Sequence, residues 1–138
     1  MAIEFVTAVI NELEASGIGE VYATSGISLQ DGYRRGAPED GGISGAVALL
    51  RQTAGVNFPR DDSYQVGIQI LVDAETVSGA RAASQTIYNF LHEKTTVCFG
   101  TFRVLWMRAN TRPQDLGDGP GGNERYQVST NYNAHIIT

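Results

Sequence analysis

Apolar residues recur at steps of three and four over Ile3 to Ala15, where Ile3, Val6, Val9, Ile10 and Leu13 share a face and Glu4, Asn11, Glu12 and Glu14 fall mostly elsewhere. The spacing predicts an amphipathic helix, closed at Gly17, which takes the positive φ of a helix C-cap without steric cost. A short β-prone piece, Glu20 to Thr24, follows. A second helical stripe of Ala80, Ala83, Ile87, Phe90 and Leu91 opens after Thr76, a suitable N-cap, and ends near His92 and Lys94, which suit the negative end of a helix. Ala and Ser crowd its first half and permit close approach to a sheet.

Period two replaces this pattern elsewhere. Over Tyr64 to Val72, Tyr64, Val66, Ile68, Ile70 and Val72 take one face and Gln65, Gly67 and Gln69 the other. Thr101 to Arg108 alternates with Phe102, Val104 and Trp106 on one side. Tyr126 to Ile136 places Tyr126, Val128, Thr130, Tyr132, Ala134 and Ile136 opposite an uncharged polar row of Gln127, Ser129, Asn131, Asn133 and His135. Ala46 to Gly55 fits a strand or the end of a helix, and a strand is favoured. Two glycine-rich stretches, 25–45 and 111–125, read as long flexible loops, which in compact domains are usually functional or disordered. The expected fold is α/β of the α+β type: one domain, 1–138, with a mainly antiparallel sheet of about four strands and two helices packed on one face. The polar sheet face is either wet, a channel lining or a subunit contact.

At 138 residues, 42% hydrophobic and 18% charged, the chain suits one core without a disulfide or metal staple. A single cysteine, Cys98, permits no internal disulfide and fits a cytosolic product. Met1-Ala2-Ile3-Glu4-Phe5 lacks the basic segment and cleavage site of a signal peptide. The longest apolar runs, such as Ala46 to Leu50 and Val104 to Met107, fall well short of the roughly 18 to 20 residues that span a bilayer. A net charge of −5 is the wrong sign for neutralising phosphates and disfavours direct nucleic-acid binding.

Catalytic chemistry has little support. His92 and His135 belong to no nucleophile motif, and Cys98 between Val97 and Phe99 reads as a semi-buried residue. No zinc or calcium spacing is present, and Gly117 to Gly122 lacks the Lys and Ser/Thr of a phosphate cradle. No catalytic residue, metal or cofactor is therefore expected, and the chain is not expected to be an enzyme. Tyr33, Arg34 and Arg35, central in the first long loop, are of the types that anchor interfaces; two arginines in a solvated turn would equally serve solubility alone.

The run Tyr64-Gln65-Val66-Gly67-Ile68-Gln69-Ile70-Leu71-Val72, the helix from Thr76 to Glu93, Arg108-Ala109-Asn110, Pro113-Gln114-Asp115-Leu116-Gly117-Asp118 and Asn123-Glu124-Arg125-Tyr126-Gln127-Val128-Ser129-Thr130-Asn131-Tyr132 occur in that order. In these features the second half of the chain resembles the tail terminator, or minor capsid, proteins of long-tailed bacteriophages. The resemblance implies a viral structural protein forming a hexameric ring at the head-tail joint of the virion. That ring ends tail growth and offers the head-joining surface. Its partners would be other copies of the chain, the tail tube protein and a head completion or connector protein. DNA would pass through the channel without specific binding, and assembly would take place in the host cytoplasm with no membrane involved. Interface contacts are expected at Tyr33, Arg34 and Arg35 and at Leu116, Asp118, Asn123 and Arg125. The alternatives are another head-tail connector, a tail-tube-like protein, or a small ligand-binding domain using the crevice between helix and sheet.

Overall fold

A computed structural model describes residues 5–21, 26–31, 46–57, 63–118 and 126–137. The chain runs α1 (Phe5–Ala15), β1 (Glu20–Val21), β2 (Ile27–Asp31), β3 (Ala46–Asn57), β4 (Ser63–Ala74), α2 (Val77–Leu91), β5 (Lys94–Phe99), β6 (Phe102–Ala109), β7 (Gln114–Asp118) and β8 (Tyr126–Ile137).

The predicted helices form where the periodicity places them. Helix α1 closes in a Schellman motif: Gly17, at φ 79°, donates to the Glu14 carbonyl at 3.1 Å and Ile18 donates to the Leu13 carbonyl at 3.0 Å. At the start of α2 the Thr76 hydroxyl accepts from the Gly79 N–H at 3.0 Å. A Cβ on Gly79 would stand 2.8 Å from that hydroxyl oxygen, so the cap needs the glycine.

The sheet differs from the expected one. Among the described residues it has eight strands in the order β1-β2-β3-β4-β8-β6-β5, with β7 also paired to β8, and it is mixed and curled into a half-barrel. The expectation of about four mainly antiparallel strands is thus corrected to a mostly β chain. Strands β1, β2 and β3 run parallel, and the other pairs are antiparallel. Three strands lie where no strand was expected. Strand β2 lies inside the stretch read as a loop at 25–45, because four residues of alternation among glycines are too short a signal. Strand β5 carries polar Lys94, Thr95 and Thr96, and β7 lies inside the stretch read as a loop at 111–125.

Strands β6 and β7 flank the same side of β8. Strand β6 pairs with Tyr132–Ile137 and β7 with Tyr126–Ser129, while the Asn110 N–H reaches the Asn131 carbonyl at 2.8 Å. They behave as one strand interrupted by a bend at 110–113. Its Pro113 cannot donate a hydrogen bond to a ladder. Strand β8 is thereby paired along both sides, with β4 covering the other from Ser63 to Ala74.

Both helices bury into one hydrophobic cluster with the same face of the sheet. The cluster holds Phe5, Val9 and Leu13 of α1, Ile87 and Leu91 of α2, and Leu50, Ile68, Ile70, Met107 and Ile136 of the sheet. Each such side chain contributes about 1.5–3 kcal/mol by burial. The half-barrel curl lets α1 reach both β2 and β5. Phe5 lies edge-on to Phe102, with centroids 5.5 Å apart, and parallel to Phe99 at 6.3 Å.

Candidate functional site

Alternation in the central strands dictates what lies on the face away from the helices. Register places Gln65 beside His135, Gly67 beside Asn133, Gln69 beside Asn131 and Asp73 beside Gln127. Across the neighbouring pairs, Arg51 stands beside Gln69, Trp106 beside His135 and Arg108 beside Asn133. The outcome is a band of amides and arginines stitched together by side chains. Arg51 Nη2 donates to Gln69 Oε1 at 2.7 Å, Asn133 Nδ2 to Asn110 Oδ1 at 2.6 Å, and Gln127 Nε2 to Asp73 Oδ2 at 3.3 Å. At the β2–β3 end Ser28, Gln30, Val47 and Leu49 are buried, so the open part of this face lies over β4, β8 and β6.

Trp106 belongs to this outer face, not to the apolar one with Phe102 and Val104. The β6–β8 register shifts between Val104 and Trp106, and the extra residue of the bulge moves Trp106 to the other side while Met107 and Ala109 return to the core. The indole meets His135 edge-on at 6.2 Å and carries the Arg108 guanidinium 4.9 Å above its ring. Arg51, Arg103 and Arg108 are exposed, whereas Asp73 is only 5% exposed. On β3, β4, β8, β6 and β5 every exposed charge among the described outward side chains is therefore an arginine.

A second feature ties β7 to α2. Arg81 holds Asp115 through two nitrogens, its Nε lying 3.0 Å from Oδ2. The hydrogen bond from Arg81 holds the Asp115 carboxyl below the usual carboxylate range, and the carboxylate in turn raises the guanidinium. Both groups are exposed, so solvent screens the pair. Asp115→Asn is expected to leave Tm nearly unchanged while speeding amide exchange in β7. The depressed carboxyl sets the pH window: what the pair contributes is present above about pH 4 and is lost as pH falls through the folded value. Exchange in β7 that is equally slow in the variant would show that backbone pairing alone holds the strand.

Of the residues singled out in sequence, Leu116 and Asp118 lie in β7, where Asp118 pairs with Tyr126, while Tyr33, Arg34, Arg35, Asn123 and Arg125 lie outside the described residues. Cys98 is exposed on β5 instead of semi-buried. His92 does more than face the end of α2. Its Nδ1 accepts the Ala109 N–H at 3.0 Å, and its ring stacks on Tyr88.

No family model matches the sequence, and a search of curated proteins finds none similar to it. Among solved structures, a chain of the virion of a native gene transfer agent particle superposes with a TM-score of 0.66 at 14% identity. The match covers 96% of this chain and 93% of that one. At this identity the likeness is one of fold, and it extends over nearly the whole length of both chains.

Proposed function

We propose that this chain is a structural virion protein of a tailed phage or phage-derived particle. In this reading it is a tail terminator: a ring at the head-proximal end of the tail tube that ends tube growth and presents the surface to which the head joins. The observation that supports it is the architecture shared, nearly end to end, with a component of a gene transfer agent virion. The order of motifs from Tyr64 to Tyr132 favours the terminator among virion components. The reading assigns no catalysis, cofactor or membrane contact, and treats DNA as cargo passing through the ring.

The role makes two physical demands. A closed ring needs one patch of each copy to meet a different patch of the next. It also needs surfaces that hold copies together without letting them polymerise. Light scattering of the purified protein at several concentrations, with negative-stain imaging in the presence and absence of tail tubes, tests the reading. Single rings of six, free or seated at tube ends, are expected. Long cylinders would assign a tube protein, and a monomer indifferent to tubes would overturn the virion reading.

Replacing Tyr33, Arg34 and Arg35 together by Ala is expected to leave the fold intact and abolish head joining. Joined particles at normal yield would remove those three residues from the interface.

A further inference from the structure

Charge is sorted along this chain. Residues 1–33 hold Glu4, Glu12, Glu14, Glu20 and Asp31 and no Lys, Arg or His, whereas residues 94–112 hold Lys94, Arg103, Arg108 and Arg112 and no acid. The strand order sets the strands of the two blocks at its opposite ends, although α1 of the first also packs on β5 of the second. The first supplies α1, β1 and β2 at one end of the strand order, and the second supplies β5 and β6 at the other.

Each end carries a shaped surface. At the basic end, Arg103 and Arg108 stand exposed on the outer face with Trp106 between them in sequence and Arg108 over its ring. Arg and Trp are the side chains most enriched among interface anchors. At the acidic end lies a cleft of about 640 Å³, lined by Glu14, Glu20 and the glycines Gly17, Gly19 and Gly26. The Glu14 carboxylate accepts the Val21 N–H at 2.9 Å, and Val21 is 39% exposed at the rim. The Gly26 and Glu14 carbonyls already accept the Ala46 and Gly17 N–H groups, so the acceptors the cleft offers an incoming cation are the Glu14 and Glu20 carboxylates.

The sheet edges themselves are poor joining surfaces. Strand β1 is two residues long, and Thr96, at φ 51°, interrupts the regular backbone of β5. Short or broken edges discourage strand-to-strand growth. Copies must then join through side chains.

We propose that the Arg103–Trp106–Arg108 face of one copy docks on the acidic cleft of a second copy, with the guanidinium groups meeting Glu14 and Glu20. This rests on the ring reading above and supplies its heterologous contact, since a basic patch repels its own kind and fits only the acidic patch of the next copy. Nucleic acid is the weaker fit, because Trp106, the half-buried aromatic of this face, already lies against Arg108 and His135 and is not free to stack on a base.

A charge exchange tests the contact. Arg103→Glu/Arg108→Glu makes both patches acidic, and Glu20→Arg reverses the free carboxylate of the cleft, leaving Glu14 to hold β1. Each variant alone is expected to raise the concentration needed for ring assembly about tenfold or more. An equal mixture is expected to restore rings, with the two variants alternating around a ring of even number. High salt is expected to weaken the wild-type ring, as screening lengths fall from about 10 Å at 0.1 M to 3 Å at 1 M. Circular dichroism confirms that each variant is folded. Rings unaffected by either reversal overturn this contact and leave the ring reading standing. Reversed arginines that spare the ring but lose retention of a short DNA duplex assign the face to nucleic acid and overturn it equally. A wild-type protein that forms no ring, free or on tubes, overturns both readings.

Discussion

Tyr132→Ala is expected to destabilise the fold by about 3–5 kcal/mol, the range for emptying a large aromatic site in a packed core. Tyr132 is 1% exposed and stands in the central strand, between Ile68 on β4 and Ala109 on β6. Its hydroxyl is buried without a hydrogen-bond partner among the described residues, and Thr130, a polar neighbour, makes no bond of good geometry to it. A buried donor left unpaired costs about 1–3 kcal/mol. Tyr132→Phe is therefore expected to act in the opposite direction and raise Tm by a few degrees. Burial pushes the phenol well above its ordinary value. A raised value means that the contribution is whole below the unfolded value, about pH 10, and is lost as pH rises through the folded one. Urea titrations of the wild type and Tyr132→Phe at neutral and alkaline pH measure both effects. A Phe variant that is less stable at neutral pH would show that the hydroxyl is bonded.

Phe5→Ala is expected to cost a comparable amount, about 3–5 kcal/mol, and for a different reason. Phe5 is the aromatic contact by which α1 packs on the β5–β6 end of the sheet, edge-on to Phe102 and parallel to Phe99. Edge-to-face aromatic pairs add about 0.5–1.5 kcal/mol beyond area burial. Without the ring, α1 keeps Val6, Val9 and Leu13 in the core but loses its contacts with Phe99 and Phe102, the two residues that flank the turn at Gly100. Hydrogen exchange should quicken in β5 and in β1–β2 together, although these are the two ends of the sheet. Exchange that quickens only in α1 would show that the helix does not couple them.

The long amphipathic patterns carried most of what was legible in advance. Strand β4, the β8 alternation, the Thr76 cap and the Gly17 stop all arise from interactions within a few residues of each other, so a local reading finds them. Strand β2 was hidden because its partner is β3 in parallel register, from Ile27 beside Ala46 to Asp31 beside Leu50, and such a pairing leaves no hairpin signal. Strand β7 was hidden because Gln114–Asp118 has no alternation of its own and pairs only because β8 continues past the end of β6. Four strands became eight through long-range pairing, which local periodicity does not report.

The candidate surface was half legible. The amide row of β8 was plain in sequence, yet Trp106 was assigned to the wrong face, since a single extra residue at Leu105 inverts the facing of the later positions in β6. Arg103 and Arg108 alternate outward and were open to discovery. The net charge of −5 hides them, because it sums faces of opposite sign. Whole-chain charge says little about any one face.

Strand β8 lies in the middle of the sheet yet is the last of the described strands to leave a ribosome, so β4 and β6 wait as unpaired edges while Ile68, Ile70 and Val104 lack their inner neighbours. Pairings of such long sequence separation are slow to form and leave nascent chains open to aggregation. Folding of the sheet is then tied to the emergence of β8, and a chain cut short before it has no finished sheet face. A product truncated before β8 therefore fails at the fold itself, whatever surface the rest of the chain carries.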